Sequence, residues 1–220
     1  MKLTVLAATG GIGRQLVGQA LAAGHDVTAV VRNPAKLAIE VPAVTVDLES
    51  PDPAALESAL AGADAVLSGL GPVTRSNPPV AGPGTQAVLT AMAAAGVRRI
   101  VVVSAAPVGT VPVPGHPVPK HDPGDGIVMR TLLSPMIKAI LRSTYADLAV
   151  MEDALRRSGL DWTVVRPPRL TDGPLTAKYR TADGQNIRGG FRISRADVAH
   201  LMLRSLDQPE TVGKVIGVAN

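Results

Sequence analysis

Three glycines fall within seven residues, Ala7-Ala8-Thr9-Gly10-Gly11-Ile12-Gly13, between the apolar run Leu3–Leu6 and a helical pattern. A short strand that turns sharply into a helix offers backbone N–H groups and the positive end of the helix dipole to an anion. Glycine at such a turn lets a pyrophosphate approach the backbone closely. Thr9, Gly10, Gly11, Ile12 and Gly13 are therefore the expected contacts of a dinucleotide. The spacing is Thr-Gly-x-x-Gly rather than the longer Gly-x-Gly-x-x-Gly form, and Ala7 stands where related motifs often carry their first glycine. Ligand-free strand-to-helix turns also use glycine, so the neighbouring segments must decide.

Those segments occur in the order a dinucleotide needs. Sites for NAD usually place a carboxylate on the ribose after the second strand, and here that place holds Arg32, in Val30-Val31-Arg32-Asn33-Pro34. A guanidinium pairs with a 2′-phosphate that a carboxylate would repel, so the expected cofactor is NADP(H) in preference to NAD(H). Asp47 and Leu48 follow the next apolar stretch, where a carboxylate can bond an adenine amine and the aliphatic neighbour can flank the ring. Gly69, Leu70 and Gly71 close the fourth run and let backbone pass along the cofactor. Ser104, directly after Ile100–Val103, is placed to orient a nicotinamide or to bond an acceptor carbonyl, and is the one expected catalytic residue. Each also has a plain structural role available: a solvated arginine, a capping Asp, a glycine turn, a turn-capping Ser.

Stepwise alternation of strand-like and helical segments supplies the frame. Short apolar runs recur at Leu3–Ala8, Val27–Val31, Ala43–Val46, Ala65–Leu67, Ile100–Val103 and Trp162–Val165. Parallel strands covered by helices on both faces read as such uncharged runs, so the pattern predicts an α/β chain with a doubly wound, mainly parallel Rossmann-type sheet. Helices are expected over Ile12–Ala23, Pro53–Ala61, Gly84–Ala95, part of Ile127–Ser158 and Arg195–Leu206. Gly24, Gly62, Gly96 and Gly159 stand where helix C-terminal caps belong. One domain over residues 1–220 is predicted, since 220 residues with 46% hydrophobic content suffice for one substantial core. Six prolines and four glycines between Ala106 and Gly126 predict a loop, and its place after the fifth strand suits a substrate lid or a surface excursion.

Composition removes other chemistries. The chain has no cysteine, which excludes disulfides, thiolate nucleophiles and cysteine-based metal centres. His116 and His121 lie in the Pro/Gly-rich loop without a third ligand nearby, so no metal site is expected. Apolar runs stop short of membrane-spanning length, and the first residues lack a signal-peptide pattern, so a cytoplasmic protein without membrane association is expected. Residues 1–97 carry 5 Lys/Arg against 7 Asp/Glu, whereas residues 98–220 carry 17 against 11. With only 2% aromatics there is no stacking platform for nucleic acid, and the basic later half suits a small anionic acceptor. A solvated basic surface has the same composition.

Proton transfer to a carbonyl would call for Tyr-x-x-x-Lys, in which lysine lowers the tyrosine pKa. Tyr145 is followed four residues later by Ala149 and Tyr179 by Asp183, so that pair is missing. Tyr145, Asp147 and Glu152 are expected on a solvent-facing helix surface, the alternative being that one of them faces the crevice. The Ala-Thr-Gly-x-x-Gly turn, Val31-Arg32, Val103-Ser104-Ala105, Ser158-Gly159-Leu160, Arg166-Pro167-Pro168-Arg169, Gly173-Pro174-Leu175-Thr176 and Ile193-Ser194-Arg195-Ala196-Asp197-Val198-Ala199 span nearly the whole chain. Together they resemble the atypical short-chain dehydrogenases/reductases, above all the NAD(P)H-binding group of NmrA-like proteins and biliverdin-IXβ/flavin reductases. That resemblance implies an NADPH-dependent oxidoreductase passing hydride to a flavin, quinone or tetrapyrrole, with Pro167 among the cofactor contacts. The alternative it implies is an NmrA-like regulatory protein that senses NADP(H) without turnover. Flavin and biliverdin reductases carry histidine after the paired prolines. This chain has Arg169, which stays charged and is expected to bind an anionic group of the acceptor instead.

Overall fold

In the computed structural model, which describes residues 1–71, 79–115, 117–126, 131, 136 and 140–220, the six runs read from the sequence become parallel strands. They are β1 (Lys2–Leu6), β2 (Asp26–Val31), β3 (Ala43–Thr45), β4 (Ala65–Ser68), β5 (Arg99–Val103) and β6 (Asp161–Arg166). Four more strands follow: β7 (Arg169–Thr171), β8 (Arg180–Asp183), β9 (Arg192–Ser194) and β10 (Lys214–Ala219). Among the described residues the main sheet has the order β3-β2-β1-β4-β5-β6-β10-β8, parallel except for the antiparallel β10–β8 edge. Strands β7 and β9 pair separately and in parallel. The strand order reverses between β1 and β4, and in an open α/β sheet ligands bind in the crevice at that reversal.

Five helices are found among the described residues: α1 (Gly11–Ala22), α2 (Pro53–Leu60), α3 (Ala81–Ala95), α4 (Arg142–Arg157) and α5 (Arg195–Arg204). Helices α2, α3 and α4 pack a core of Leu56, Leu60, Val88, Met92, Met151 and Leu155 on one sheet face, while α1 and α5 cover the other with Leu16, Val17, Val198 and Met202. Helix α3 starts at Ala81, three residues ahead of the expectation, because Pro83 in the first turn forfeits an N–H that has no intrahelical partner there anyway. Gly24, Gly62, Gly96 and Gly159 all adopt positive φ, as the cap expectation required. Part of the expected Ile127–Ser158 helix, and His116, lie outside the described residues. Among the described residues no helix is long and apolar enough to cross a membrane.

The start of the Pro/Gly-rich segment packs on the α2–α4 face. Its first turn is a 3-10 helix over Ala106–Thr110 whose Val108 is buried in the core. Farther on, Asp122 is buried and its Oδ1 accepts from the N–H groups of Gly124 and Asn186. A Cβ on Gly124 would stand 1.8 Å from the Asn186 carbonyl oxygen, so chain meets chain there with no room for a side chain. Opening this segment as a lid would mean giving up those contacts.

Candidate functional site

The glycine turn is tight because β1 and α1 meet almost without clearance. Ala7 takes a left-handed conformation (φ 55°), and Gly10 N donates to Ala7 O at 2.8 Å. A Cβ on Gly13 would lie 2.1 Å from Ala7 O, and one on Gly69, at the end of β4, 3.2 Å from Gly13 N. Gly10, Gly13 and Gly69 thus converge on one point of the crevice. Among the described residues no side chain caps α1, whereas Asp52 caps α2 and Ser194 caps α5. At α3 a residue distant in sequence does the same: Asp147 accepts from Val80 N (3.0 Å), Ala81 N (2.9 Å) and Gly82 N (2.8 Å). The first-turn N–H groups of α1 therefore stay open to an anion. A glycine-walled turn ending in an uncapped helix start fits a pyrophosphate.

Two arginines flank that turn. Arg14 donates through Nε to Thr9 O at 2.9 Å. Arg195, the first residue of α5, lies against Gly11, where a Cβ would meet its Cδ and Nε at 2.6 Å, and is held by Asp172 at 2.6 Å. Sequence reading missed Arg195, because nothing local signals that α5 starts beside α1.

Arg32 is exposed at the end of β2 and contacts Glu49 at 3.4 Å, the side chains being 56% and 32% accessible. Exposed pairs of this kind contribute about 0–1 kcal/mol, so Glu49 is a weak competitor for the guanidinium. Asp47 is exposed and folds back to accept from Glu49 N at 3.1 Å, while the Leu48 side chain is buried in the core and its carbonyl oxygen packs against Gly84. Leu70 is likewise a core residue, and no atom of the described residues crowds the position a Cβ would take on Gly71.

At the far wall of the crevice Ser104 is almost buried. Its Oγ donates to Glu152 Oε1 at 2.7 Å, and Glu152, 1% exposed, also receives Arg166 Nε (2.8 Å), Arg166 Nη2 (2.5 Å) and Arg156 Nη2 (2.8 Å). The buried carboxyl group joins β5, β6 and α4. The backbone beside it is continuous with the strands: Ser104 N donates to Val165 O, and Ala106 N to the carbonyl of buried Pro167.

This arrangement overturns the expectation that Tyr145, Asp147 and Glu152 face solvent: all three are buried on α4. Charged residues of a helix read as solvated unless a partner in another element consumes them. Here Arg166 and the α3 amides do so. Burial pushes the Tyr145 phenol above its ordinary pKa, opposite to the shift a proton-donating Tyr–Lys pair produces. Arg169 is exposed on β7 in register with Arg192, with no ion pair of its own among the described residues. A hollow of 540 Å³ lies at the N-terminal ends of β1 and β2, around Lys2, His25 and Asp26, away from the glycine turn.

A family model described as NAD(P)H-binding matches residues 7–209. Among solved structures, a Streptococcus pneumoniae protein provisionally named an NADH-flavin reductase is 26% identical, with TM-score 0.74 over 100% of this chain and 99% of its own. An anaerobilin reductase from Escherichia coli O157:H7 is 24% identical, with TM-score 0.76 over 100% and 97%. A Veillonella parvula short-chain dehydrogenase/reductase solved with NADP is 19% identical, with TM-score 0.76 over 100% and 94%.

Proposed function

The chain belongs to the NAD(P)H-binding family, and from that membership we propose that it is an NADPH-dependent oxidoreductase acting on a conjugated acceptor such as a flavin, a quinone or a tetrapyrrole. The observation that carries this reading is the uncapped start of α1 behind Gly10, Gly11 and Gly13, walled by Gly69 at the reversal of strand order. Thr9, Gly11, Ile12 and Gly13 hold the pyrophosphate, with Gly10 fixing the turn. Arg32 exchanges Glu49 for the 2′-phosphate. Asp47 meets the adenine amine, and the backbone of Leu48, Gly69, Leu70 and Gly71 borders the cofactor. Pro167, whose carbonyl oxygen accepts from Ala106 N, borders the cofactor beside Ser104.

A reduced nicotinamide bound in this crevice supplies a hydride. The protein's part is to orient and to keep water from the transfer. The Ser104 proton is committed to Glu152, so its oxygen is left to accept, from a carboxamide N–H for example. Missing Tyr-x-x-x-Lys favours acceptors whose reduction needs no strong protein acid, and the name of the Streptococcus pneumoniae relative supports that class. Arg169, exposed and without an ion-pair partner among the described residues, takes an anionic group of the acceptor. The commitment of Ser104 to Glu152 also suits a second reading, an NmrA-like sensor that binds NADP(H) without turnover.

Oxidation of NADPH and NADH by the purified protein, with FMN, riboflavin and a quinone in parallel against protein-free controls, separates the two. Saturable, NADPH-selective turnover is expected. NADPH binding in the same preparation with no turnover on any acceptor would favour the sensor.

A further inference from the structure

Between α4, the outer strands β6 and β10, and the Pro/Gly-rich segment lies a cavity of about 270 Å³. It is distinct from the crevice of the glycine turn and lies behind the Glu152–Arg166 pair. Val108, Val111, Val118 and Pro119 form apolar walls, and two cations, Arg156 and Arg166, balance two carboxylates, Asp122 and Glu152, of which Glu152 is already held by both arginines. Arg166 and Asp122 are both more than nine-tenths buried: the Arg166 side chain is 8% accessible and Asp122 4%. Each has one polar atom unspent. Arg166 uses Nε and Nη2 on Glu152, leaving Nη1 without an acceptor among the described residues, and Asp122 uses Oδ1 on Gly124 and Asn186, leaving Oδ2 without a donor.

The two free atoms border one point. A Cβ on Gly109 would stand 2.5 Å from Arg166 Nη1 and 3.3 Å from Asp122 Oδ2, and no ion pair joins the two residues among the described residues. Neither atom is sealed inside packed protein, so each is open to a partner that enters the cavity. An anion would meet Asp122 and a cation would meet Arg166. A neutral group with an acceptor beside a donor satisfies both.

We propose that this cavity binds a small planar cyclic amide, a lactam or imide of one or two rings. Its carbonyl oxygen accepts from Arg166 Nη1 and its N–H donates to Asp122 Oδ2. The valine and proline walls enclose the ring faces. At 270 Å³ the cavity lies just below the range of about 300–1,000 Å³ that takes drug-sized ligands, which restricts the occupant to one or two rings. Glycine at 109 is what leaves the space between the two charges open.

Calorimetric titration of the dinucleotide-free protein with 2-quinolone and with N-methyl-2-quinolone tests this directly. The parent lactam should bind saturably at one site and the N-methyl analogue at least tenfold more weakly. Asp122→Asn keeps the Oδ1 acceptor for Gly124 and Asn186 while turning the second oxygen into a donor, and should weaken 2-quinolone at least tenfold. Val118→Phe, which fills the cavity without touching either charged group, should do the same. Absence of saturable binding to the wild type, meaning a cavity that holds water only, overturns the proposal, as does equal affinity for both probes or for wild type and variants. Because no dinucleotide is present, failure here leaves the hydride-transfer reading untouched.

Discussion

Ser104 and Glu152 share a 2.7 Å hydrogen bond in which the serine hydroxyl donates to a carboxyl group that two arginines also hold. The serine is thereby fixed in orientation, and in the proposed function it positions a partner rather than giving up a proton. Ser104→Ala should lower kcat/KM with NADPH by about fivefold to tenfold, the worth of one hydrogen bond of roughly 1 kcal/mol, without moving the pH profile. A displaced profile would mean that the hydroxyl takes part in proton transfer.

Glu152 anchors the fold through its contacts with Arg166, Arg156 and Ser104. Removing it leaves Arg166 buried without its partner, so Glu152→Ala should cost about 3–5 kcal/mol in urea unfolding, against roughly 1 kcal/mol for Ser104→Ala. Similar losses for the two variants would show that Arg166 finds another partner.

The turn between β1 and α1 predicts opposite outcomes at two neighbouring small residues. Gly13→Ala puts a methyl against the Ala7 carbonyl, a backbone atom that cannot swing away, and should cost about 1–3 kcal/mol together with dinucleotide binding. Ala7→Gly relieves a left-handed alanine, whose strain of roughly 1–2 kcal/mol exceeds the usual entropic cost of glycine, and should raise the unfolding midpoint. A lower midpoint for Ala7→Gly would contradict the left-handed geometry.

Cofactor preference should turn on the contact between Arg32 and Glu49. Arg32→Ala should weaken NADPH much more than NADH. Glu49→Gln, by freeing the guanidinium, should tighten NADPH severalfold and leave NADH unchanged. Equal effects on the two dinucleotides, measured by fluorescence titration, would remove Arg32 from phosphate selection.

His200 supplies a pH dependence. Its Nδ1 meets the Tyr179 hydroxyl at 2.7 Å, and burial, reinforced by Arg204 and opposed by Asp197, holds its pKa below the ordinary 6.5. The unfolded chain then binds the proton more readily than the folded one, so the contribution of His200 to stability is complete above pH 6.5. It is lost as pH falls below that value and through the folded pKa. Unfolding at pH 8 and at pH 5.5 should show a smaller loss of stability for His200→Gln than for the wild type. An identical loss would place the pH dependence elsewhere.

The dinucleotide half of the fold was readable because its signals are local. Uncharged Val/Ile/Leu runs gave β1 to β6, and the glycine spacing gave the turn before α1. Strands β7 and β9 have three residues each, β8 is an exposed edge strand, and Gly217 interrupts the apolar run of β10, so none carries a buried-strand pattern. Asp147, Glu152 and Arg166 were misread or overlooked for a different reason. Their meaning lies in partners on other elements, and a charge that pairs across the fold looks in sequence like one that faces water. Arg195 belongs with them, since its contact with Gly11 exists only once α1 and α5 are side by side.

The clasp of Asp147 on the head of α3 also bears on the order in which the chain becomes structured. Three amides at residues 80–82 are satisfied by a carboxylate 65–67 positions later. During synthesis from the N-terminus, the carboxylate that caps α3 emerges only after α3 itself. The glycine-turn half and the acceptor half are sealed together by that late contact, and a fragment ending before residue 142 would lack the group that closes α3.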